Sequence, residues 1–231
     1  MTNRIAETSP LFYARVAGVG YLFIFVFGFL ANFLGIVPGD ATTTAGNIMA
    51  SESLFRMGIA SWLIVLVADA VVAWALYVLL VPGNRSLSLL AAWFRLVFVA
   101  IFSINMLYLL IAMQFIRGAD NTQAMLFLNT YDFGTNIAFI FFGIHIFVLG
   151  YLIYKSGYIP RILGVFLIVA SVGYLIDSFA SVLSSSYANN EIAFWLIVAV
   201  PAIISELSIT LWLLIKGVNV ERWNERALES V

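Results

Sequence analysis

Residues 192–215 read IAFWLIVAVPAIISELSITLWLLI, and the fold class follows from stretches of this kind. It carries a single charged side chain, Glu206. An α-helix rises about 1.5 Å per residue, so about 20 apolar residues are needed to cross the hydrocarbon core of a bilayer. The stretch is therefore predicted to be a membrane-spanning helix with a carboxyl group near its middle.

Five further stretches of the same kind precede it. We therefore predict an all-α polytopic membrane protein, in which one domain over residues 1–231 forms a six-transmembrane-helix bundle. The connections between the stretches are short, which leaves no room for a second domain. The predicted spans are residues 11–35, 55–80, 87–116, 133–154, 162–182 and 192–215.

The composition supports a lipid bilayer as the environment of the chain. Of 231 residues, 63% are hydrophobic and 10% are charged, whereas a soluble domain carries about 25% charged residues. The net charge of −1 gives no electrostatic reason to expect a nucleic-acid partner. The absence of cysteine excludes disulfides, thiolate catalysis and cysteine-based zinc sites.

The basic residues predict the orientation in the membrane. With the N-terminus inside, nine of the eleven lysines and arginines fall on the inner side, and only Arg56 and Arg117 on the outer side. This bias follows the positive-inside rule and places both termini in the cytoplasm. The inner set is Arg4, Arg15, Arg85, Arg95, Lys155, Arg161, Lys216, Arg222 and Arg226.

Four titratable residues lie deep in the predicted spans. Asp69, His145 and Glu206 are near mid-membrane, and Asp177 is nearer the outer third. A single Asp at a helix centre costs roughly 2.5–3.5 kcal/mol on insertion scales, and such residues are functional candidates. We take these four as candidates for ligand binding or for a proton-linked step.

Hairpin geometry predicts one ion pair. The second and third spans are joined by a tight turn near residues 83–84, so Asp69 and Arg95 come within about 4–5 Å of the same depth. The pair has two interpretations, as a structural device that fixes which helices adjoin or as part of a functional site. Buried pairs often set registry, which favours the structural interpretation.

Glu206 has no such partner in its own hairpin. Pro201 lies five residues earlier and is expected to bend the helix and to open a cavity. An unpaired Glu206 is expected to be protonated. His145 shares its depth, and three interpretations stay open: a hydrogen bond to Glu206, a proton-accepting pocket, or a bond to a neighbouring backbone or hydroxyl group.

Helical spacing assigns faces to two further groups. One small and polar stripe predicts close helix packing and an inward Asp177; it consists of Ala170, Gly173, Asp177 and Ser181. In the fourth span, His145 lies off the face that carries Asp132. This offset weakens any convergence of all polar residues on one point. Asp132 itself lies near the outer interface.

Arg56 also lies near the outer interface, where water can solvate it. We take Arg56, Arg95 and Asp132 as charges that are structural or help to form a site.

Two segments outside the spans have predicted structures. Asp40 is expected to cap a short helix whose Ile48 and Met49 rest on the outer interface; a lid over the bundle is the alternative. The C-terminal residues 221–226 mix charges and are expected to be a solvated end.

No catalytic signature is present. The sequence lacks G-x-S-x-G, H-E-x-x-H and a phosphate-binding glycine loop. One histidine with scattered carboxylates is a poor metal site, so no metal, cofactor or catalytic residue is predicted. Enzymatic activity stays open, and a role without catalysis is favoured.

Six motifs follow one another along nearly the whole chain: VPGDAT at 37–42, SESLFR at 51–56, LYVLL at 76–80, WFRL at 93–96, SGYIPRILG at 156–164 and GYLIDSF at 173–179. In this order they resemble the bacterial membrane family labelled domain of unknown function 4386. The resemblance implies a bacterial multi-pass inner-membrane protein and brings no activity. It includes Arg56, Arg95 and Asp177.

Three functions fit these observations. The chain is expected to bind or carry a small molecule or lipid within the bundle, with a proton link through Glu206 or Asp69. The alternative is a membrane partner or sensor without catalysis, whose buried ion pairs are structural. A lipid-modifying intramembrane enzyme is the third. Monomer and homodimer both stay open.

Overall fold

The computed structural model describes residues 9–33, 40–184 and 187–229, and these residues contain no β-strand. The far end of the first predicted span and Arg4 lie outside them. The described chain forms eight α-helices and one 3₁₀ turn. The helices are α1 (Pro10–Phe33), α2 (Ala41–Ala50), α3 (Glu52–Leu80), α4 (Arg85–Arg117), α5 (Asn121–Ser156), α6 (Arg161–Leu183), α7 (Glu191–Ile215) and α8 (Val220–Glu229), and the 3₁₀ turn is Tyr187–Asn190.

Six of these helices are long and apolar enough to span a membrane, which confirms the predicted all-α fold class. Each packs on its neighbour around a closed ring in the order α1, α3, α4, α5, α6, α7 and back to α1. Large apolar side chains such as Val67, Val169 and Trp195 are exposed on the outside of the ring. Such an apolar surface is unfavourable in contact with water, whereas contact with lipid carries no such cost.

The helices extend beyond the predicted spans, and α5 does so most. It begins at Asn121, whereas the predicted span begins at residue 133. Asp120 caps this helix, because its side chain accepts a hydrogen bond from the Gln123 amide at 3.0 Å. Polar residues therefore continue the helix outside the apolar stretch, and hydropathy alone does not mark where it starts.

Arg15 ties the first helix of the ring to the last. Its guanidinium donates to the carbonyl oxygens of Leu213 and Ile215, both at 3.1 Å. The last carbonyls of a helix lack intrahelical partners and carry partial negative charge. Arg15 thus completes the C-terminal end of α7.

The C-terminal segment is a helix that packs against the bundle through one buried residue, whereas the other five residues of 221–226 are exposed, as expected. Trp223 of α8 is buried, and its indole nitrogen donates to the Leu79 carbonyl at 2.8 Å. The Tyr158 hydroxyl donates to the same carbonyl at 3.0 Å. The buried Trp223 therefore anchors α8 to the bundle, although the average composition of this helix is polar.

The cap predicted at Asp40 is confirmed. Its side chain accepts from the Thr43 amide at 2.7 Å, and this bond holds the pKa of the exposed carboxyl below its usual value. The helix α2 that follows contacts α3, α4 and α5. Ile48 is buried, whereas Met49 is exposed, so Ile48 packs on protein and does not rest on the interface.

Candidate functional site

All six spanning helices contribute a polar side chain to one region inside the ring, which we call the Arg95 cluster. Arg95 is at its centre and has no exposed surface. The members are Tyr21 of α1, Asp69 of α3, Arg95 of α4, His145 of α5, Tyr174 of α6 and Glu206 of α7.

Arg95 is bonded on three sides. Its Nε donates to Asp69 Oδ1 at 2.8 Å, and Nη2 donates to the same oxygen. Its Nη1 donates to the Tyr21 hydroxyl at 2.9 Å and contacts His145 Nε2 at 3.1 Å. The ion pair predicted from hairpin geometry is therefore confirmed.

The partners of His145 determine its tautomer. Its Nδ1 lies 2.8 Å from the Ala91 carbonyl oxygen, which can only accept, and its Nε2 faces a guanidinium, which can only donate. The ring is therefore neutral, with its proton on Nδ1. Of the interpretations left open for His145, the bond to backbone is the one observed, and Arg95 supplies the second contact.

Arg95 and the residues that bond it form one half of the cluster, and Glu206 with Tyr174 forms the other half. Its Oε1 accepts a hydrogen bond from the Tyr174 hydroxyl at 2.8 Å. Within the described residues it has no ion-pair partner, although it lies in electrostatic range of Arg95 and Asp69. Phe142 lies between the halves: its ring centroid is 5.2 Å from that of Tyr174 and 5.6 Å from the Arg95 guanidinium carbon.

Pro201 lies inside α7, and the neighbouring helix meets the carbonyl that this proline frees. Proline cannot donate to the carbonyl of Ile197, four residues earlier. A Cβ at Gly173 of α6 would lie 2.6 Å from that carbonyl oxygen. Instead of the predicted cavity, α6 itself lies against the freed carbonyl, and a glycine permits the close approach.

A groove of about 650 Å³ lies on the outside of the ring between α1 and α3. Its lining is apolar except for Arg15 at one end. Gly20 and Ala68 line it, and the next residue along each helix, Tyr21 and Asp69 respectively, belongs to the Arg95 cluster. The groove and the cluster therefore lie on two sides of the same contact between α1 and α3.

Residues 16–217 match the family model described as Domain of unknown function (DUF4386). The chain belongs to this family. An "Uncharacterized protein" from Archaeoglobus fulgidus is 38% identical to it over 154 residues, which cover 67% of this chain and 80% of that relative. No solved structure matches the chain. The resemblance read from the sequence motifs is thus confirmed.

Three predicted site residues of this DUF4386 chain lie outside the cluster. Asp177 is half-buried and accepts from the Tyr187 hydroxyl at 2.8 Å, so it is bonded outside the Arg95 cluster. Ala170 and Gly173 of the predicted stripe are buried. The Asp177 carboxyl accepts its hydrogen bond from the 3₁₀ turn after α6.

The two outer charges are peripheral. Arg56 is exposed and pairs with Glu52 at 2.8 Å, and Arg117 donates to the same carboxylate. Asp132 is exposed. Neither residue belongs to the Arg95 cluster, and their place near the outer interface stays a prediction.

Sequence reasoning missed the two cluster tyrosines and the buried amide of Asn105. A tyrosine in an apolar stretch carries no signal that separates an interior hydroxyl from an interfacial one. The Asn105 amide nitrogen donates to the Tyr131 carbonyl at 2.7 Å and to the Thr135 hydroxyl at 3.0 Å. This amide links α4 to α5 away from the cluster.

The described part of this DUF4386 chain contains no group of three or more His, Cys, Asp or Glu side chains placed to hold a metal ion. The cluster offers one cation, a carboxylate paired with it, a neutral imidazole and a second carboxyl. Such a set can bind an anion or exchange a proton.

Proposed function

We propose that the chain binds a lipid or another amphipathic small molecule, with the apolar part in the groove beside the Arg95 cluster. The observation that carries this proposal is the position of the groove, whose lining residues Gly20 and Ala68 adjoin Tyr21 and Asp69. A molecule in the groove would lie against the two helices that carry Tyr21 and Asp69.

Arg95 and Asp69 stay paired in this proposal. Loss of either partner would leave the other charge buried and unpaired, which is strongly destabilising. An anionic group of the bound molecule therefore needs another cation, and Arg15 is the one that lines the groove.

Glu206 is the proposed proton site. Arg95 and Asp69 already balance each other, and Glu206 has a hydroxyl partner but, in the described chain, no cationic one. The arrival of a negative ligand adds charge to a site of low dielectric. Uptake of a proton at Glu206 would offset that charge and make binding depend on pH.

The test compares binding at acidic and neutral pH. Purified chain is incubated with a lipid extract of the expression host, and retained molecules are identified by native mass spectrometry. We expect retention in the wild type to change with pH and Glu206→Gln to abolish pH-dependent retention. Asp177→Asn, a change of the same kind outside the cluster, should behave as the wild type. Retention unchanged by Glu206→Gln at every pH would refute the proton link.

The alternative is a membrane partner without catalysis in which the cluster only locks the helices together. One observation favours it: four of the five N–H donors of Arg95 are engaged by Asp69, Tyr21 and His145. In that case nothing would be retained specifically, and the charges would matter for folding alone.

We also propose that the chain resides in the cytoplasmic membrane of a bacterial cell with both termini inside, as the distribution of basic residues suggests.

A further inference from the structure

We propose that the occupant of the groove is an anionic phospholipid, with one acyl chain between α1 and α3 and its phosphate at Arg15. This inference rests on the proposed function, because it names the ligand class for the same groove.

The length of the groove fits one leaflet. On α1 its lining runs from Phe12 to Phe23, eleven residues apart, which corresponds to about 17 Å of helix. Half of a hydrocarbon core of about 30 Å is about 15 Å. The groove therefore extends from one membrane surface to about the bilayer centre, as an acyl chain does. Arg15 lies at the surface end.

The groove is open to lipid along this length. Val19, Phe23 and Val67 line it and are exposed on the outside of the ring. A lipid can enter sideways from the bilayer without crossing protein. Access from the membrane favours a lipid over a water-soluble ligand.

Arg15 is held in position and still has donors to offer. Two of its five N–H groups bond the Leu213 and Ile215 carbonyls, which fixes the guanidinium at the end of the groove. It has no carboxylate partner among the described side chains, whereas Arg56, Arg95 and Arg117 each have one. The remaining donors suit a phosphate.

Lys216 follows Ile215 directly and adds a second cation at this end of the bundle. Two cations without an ion-pair partner in the described chain favour a headgroup of net negative charge over a zwitterionic one, whose own amine would be repelled. Phosphatidylglycerol and phosphatidylcholine, which differ in this respect, are therefore the probes.

The experiment uses the full chain in nanodiscs that contain equal amounts of the two lipids. Native mass spectrometry counts the lipid retained after the annular lipid has been stripped. We expect the wild type to retain phosphatidylglycerol in preference. Arg15→Gln should lower the preference about fivefold, the factor that corresponds to about 1 kcal/mol for one basic residue near an anionic surface. Arg85→Gln removes an exposed charge from the same end, outside the groove, and should leave the preference unchanged.

A second pair of variants tests the groove without touching Arg15. Val67→Phe fills it and should reduce retention of both lipids, whereas Val169→Phe adds the same ring on the outer face of α6 and should not. Arg15→Lys keeps the charge and should keep most of the preference. Full retention in Val67→Phe, or an equal loss of preference in Arg85→Gln, would overturn the assignment.

The outcomes separate this inference from the proposed function. If Arg15→Gln and Val67→Phe retain lipid as the wild type does while Glu206→Gln still abolishes pH-dependent retention, only the phospholipid assignment fails. If lipid retention depends on Arg15 but never on pH or Glu206, the phospholipid is a structural ligand, and the proton-linked function fails.

Discussion

At the scale of the residue, Arg95 explains why the interior of this bundle is polar at all. A guanidinium stays charged at any physiological pH, and this one has no exposed surface. Its ion pair with Asp69 does not by itself show net stabilisation, because desolvation of two charges offsets their attraction. The loss of one partner, however, leaves the other buried and unpaired.

This asymmetry gives a prediction for the pair. Asp69→Ala should lower the free energy of unfolding by about 3–5 kcal/mol, the cost of breaking a buried pair by removing one partner. The exchange of charges, Asp69→Arg with Arg95→Asp, should recover part of the loss, because the pair is restored while the Tyr21 and His145 contacts are not. Thermal unfolding in detergent measures both.

Asp177→Ala is the control for the pair. Asp177 is half-buried and bonded to one tyrosine, so its loss should cost about 1 kcal/mol. A double variant no more stable than Asp69→Ala would show that the two charges do not act as a pair.

The residues of the cluster were only partly predictable. Asp69 and Arg95 could be paired because a tight turn fixes the relative depth of two helices. The helix face of His145 was compared with the helix face that carries Asp132, and this comparison was misleading. Asp132 is exposed, whereas the face that carries His145 points into the ring. Periodicity separates faces of a helix but does not say which face meets a neighbour.

At the scale of the element, the contact between α6 and α7 depends on a missing side chain. Gly173→Ala should lower the free energy of unfolding by about 1–3 kcal/mol, because its Cβ would lie 2.6 Å from the Ile197 carbonyl oxygen and must separate the helices. Gly28→Ala is the matched control, since that glycine lies within α1 with nothing near its Cβ. The control should be neutral or stabilise by up to about 1 kcal/mol.

Equal effects of the two alanines in thermal unfolding would contradict the close contact at Gly173.

The cap of α2 predicts a local dependence on pH. The folded-state pKa of Asp40 lies below its ordinary value of 3.8 because the Thr43 amide bonds the carboxylate. Its contribution to helix stability is therefore complete above that ordinary value and is lost as the pH falls through the lowered pKa. Hydrogen exchange at the Thr43 amide should accelerate in this acidic range, relative to an Asp40→Asn variant.

Asn caps helices without titrating, so the Asp40→Asn variant controls for the intrinsic effect of pH on exchange. Identical pH profiles in the two proteins would show that the carboxylate does not hold α2.

The elements themselves were predicted best where they are most apolar. The six spans were found from hydropathy and length, but α5 and α8 show where that signal ends. Asn121 begins α5 in a polar stretch, and Trp223 anchors a helix that is polar on average. The Asp120 cap stabilises the start of α5, and one buried indole anchors α8. The mean hydropathy of a segment reports neither feature.

At the scale of the whole molecule, the closed ring was beyond prediction. Lipid tails are as apolar as a protein core, so the sequence does not separate inward from outward faces by hydrophobicity. Val67 and Leu66 are both apolar, yet one is exposed to the groove and the other is buried. Six spans were predictable, and their order around the ring was not.

The proposed orientation is testable because the chain lacks cysteine. Single cysteines at Gln123 and Glu225, both exposed positions, should react with an impermeant thiol reagent from opposite sides. In intact cells we expect labelling at Gln123→Cys, and labelling at Glu225→Cys only after the membrane is opened. Labelling of Glu225→Cys in intact cells would contradict cytoplasmic termini.

An amphipathic molecule in the groove beside the Arg95 cluster should be visible in a density map of the chain in lipid nanodiscs. We predict elongated density between α1 and α3 that ends in a compact feature at Arg15. This density should be stronger than that of lipid along the outer face of α6. A groove with no more density than that face would contradict the proposed binding.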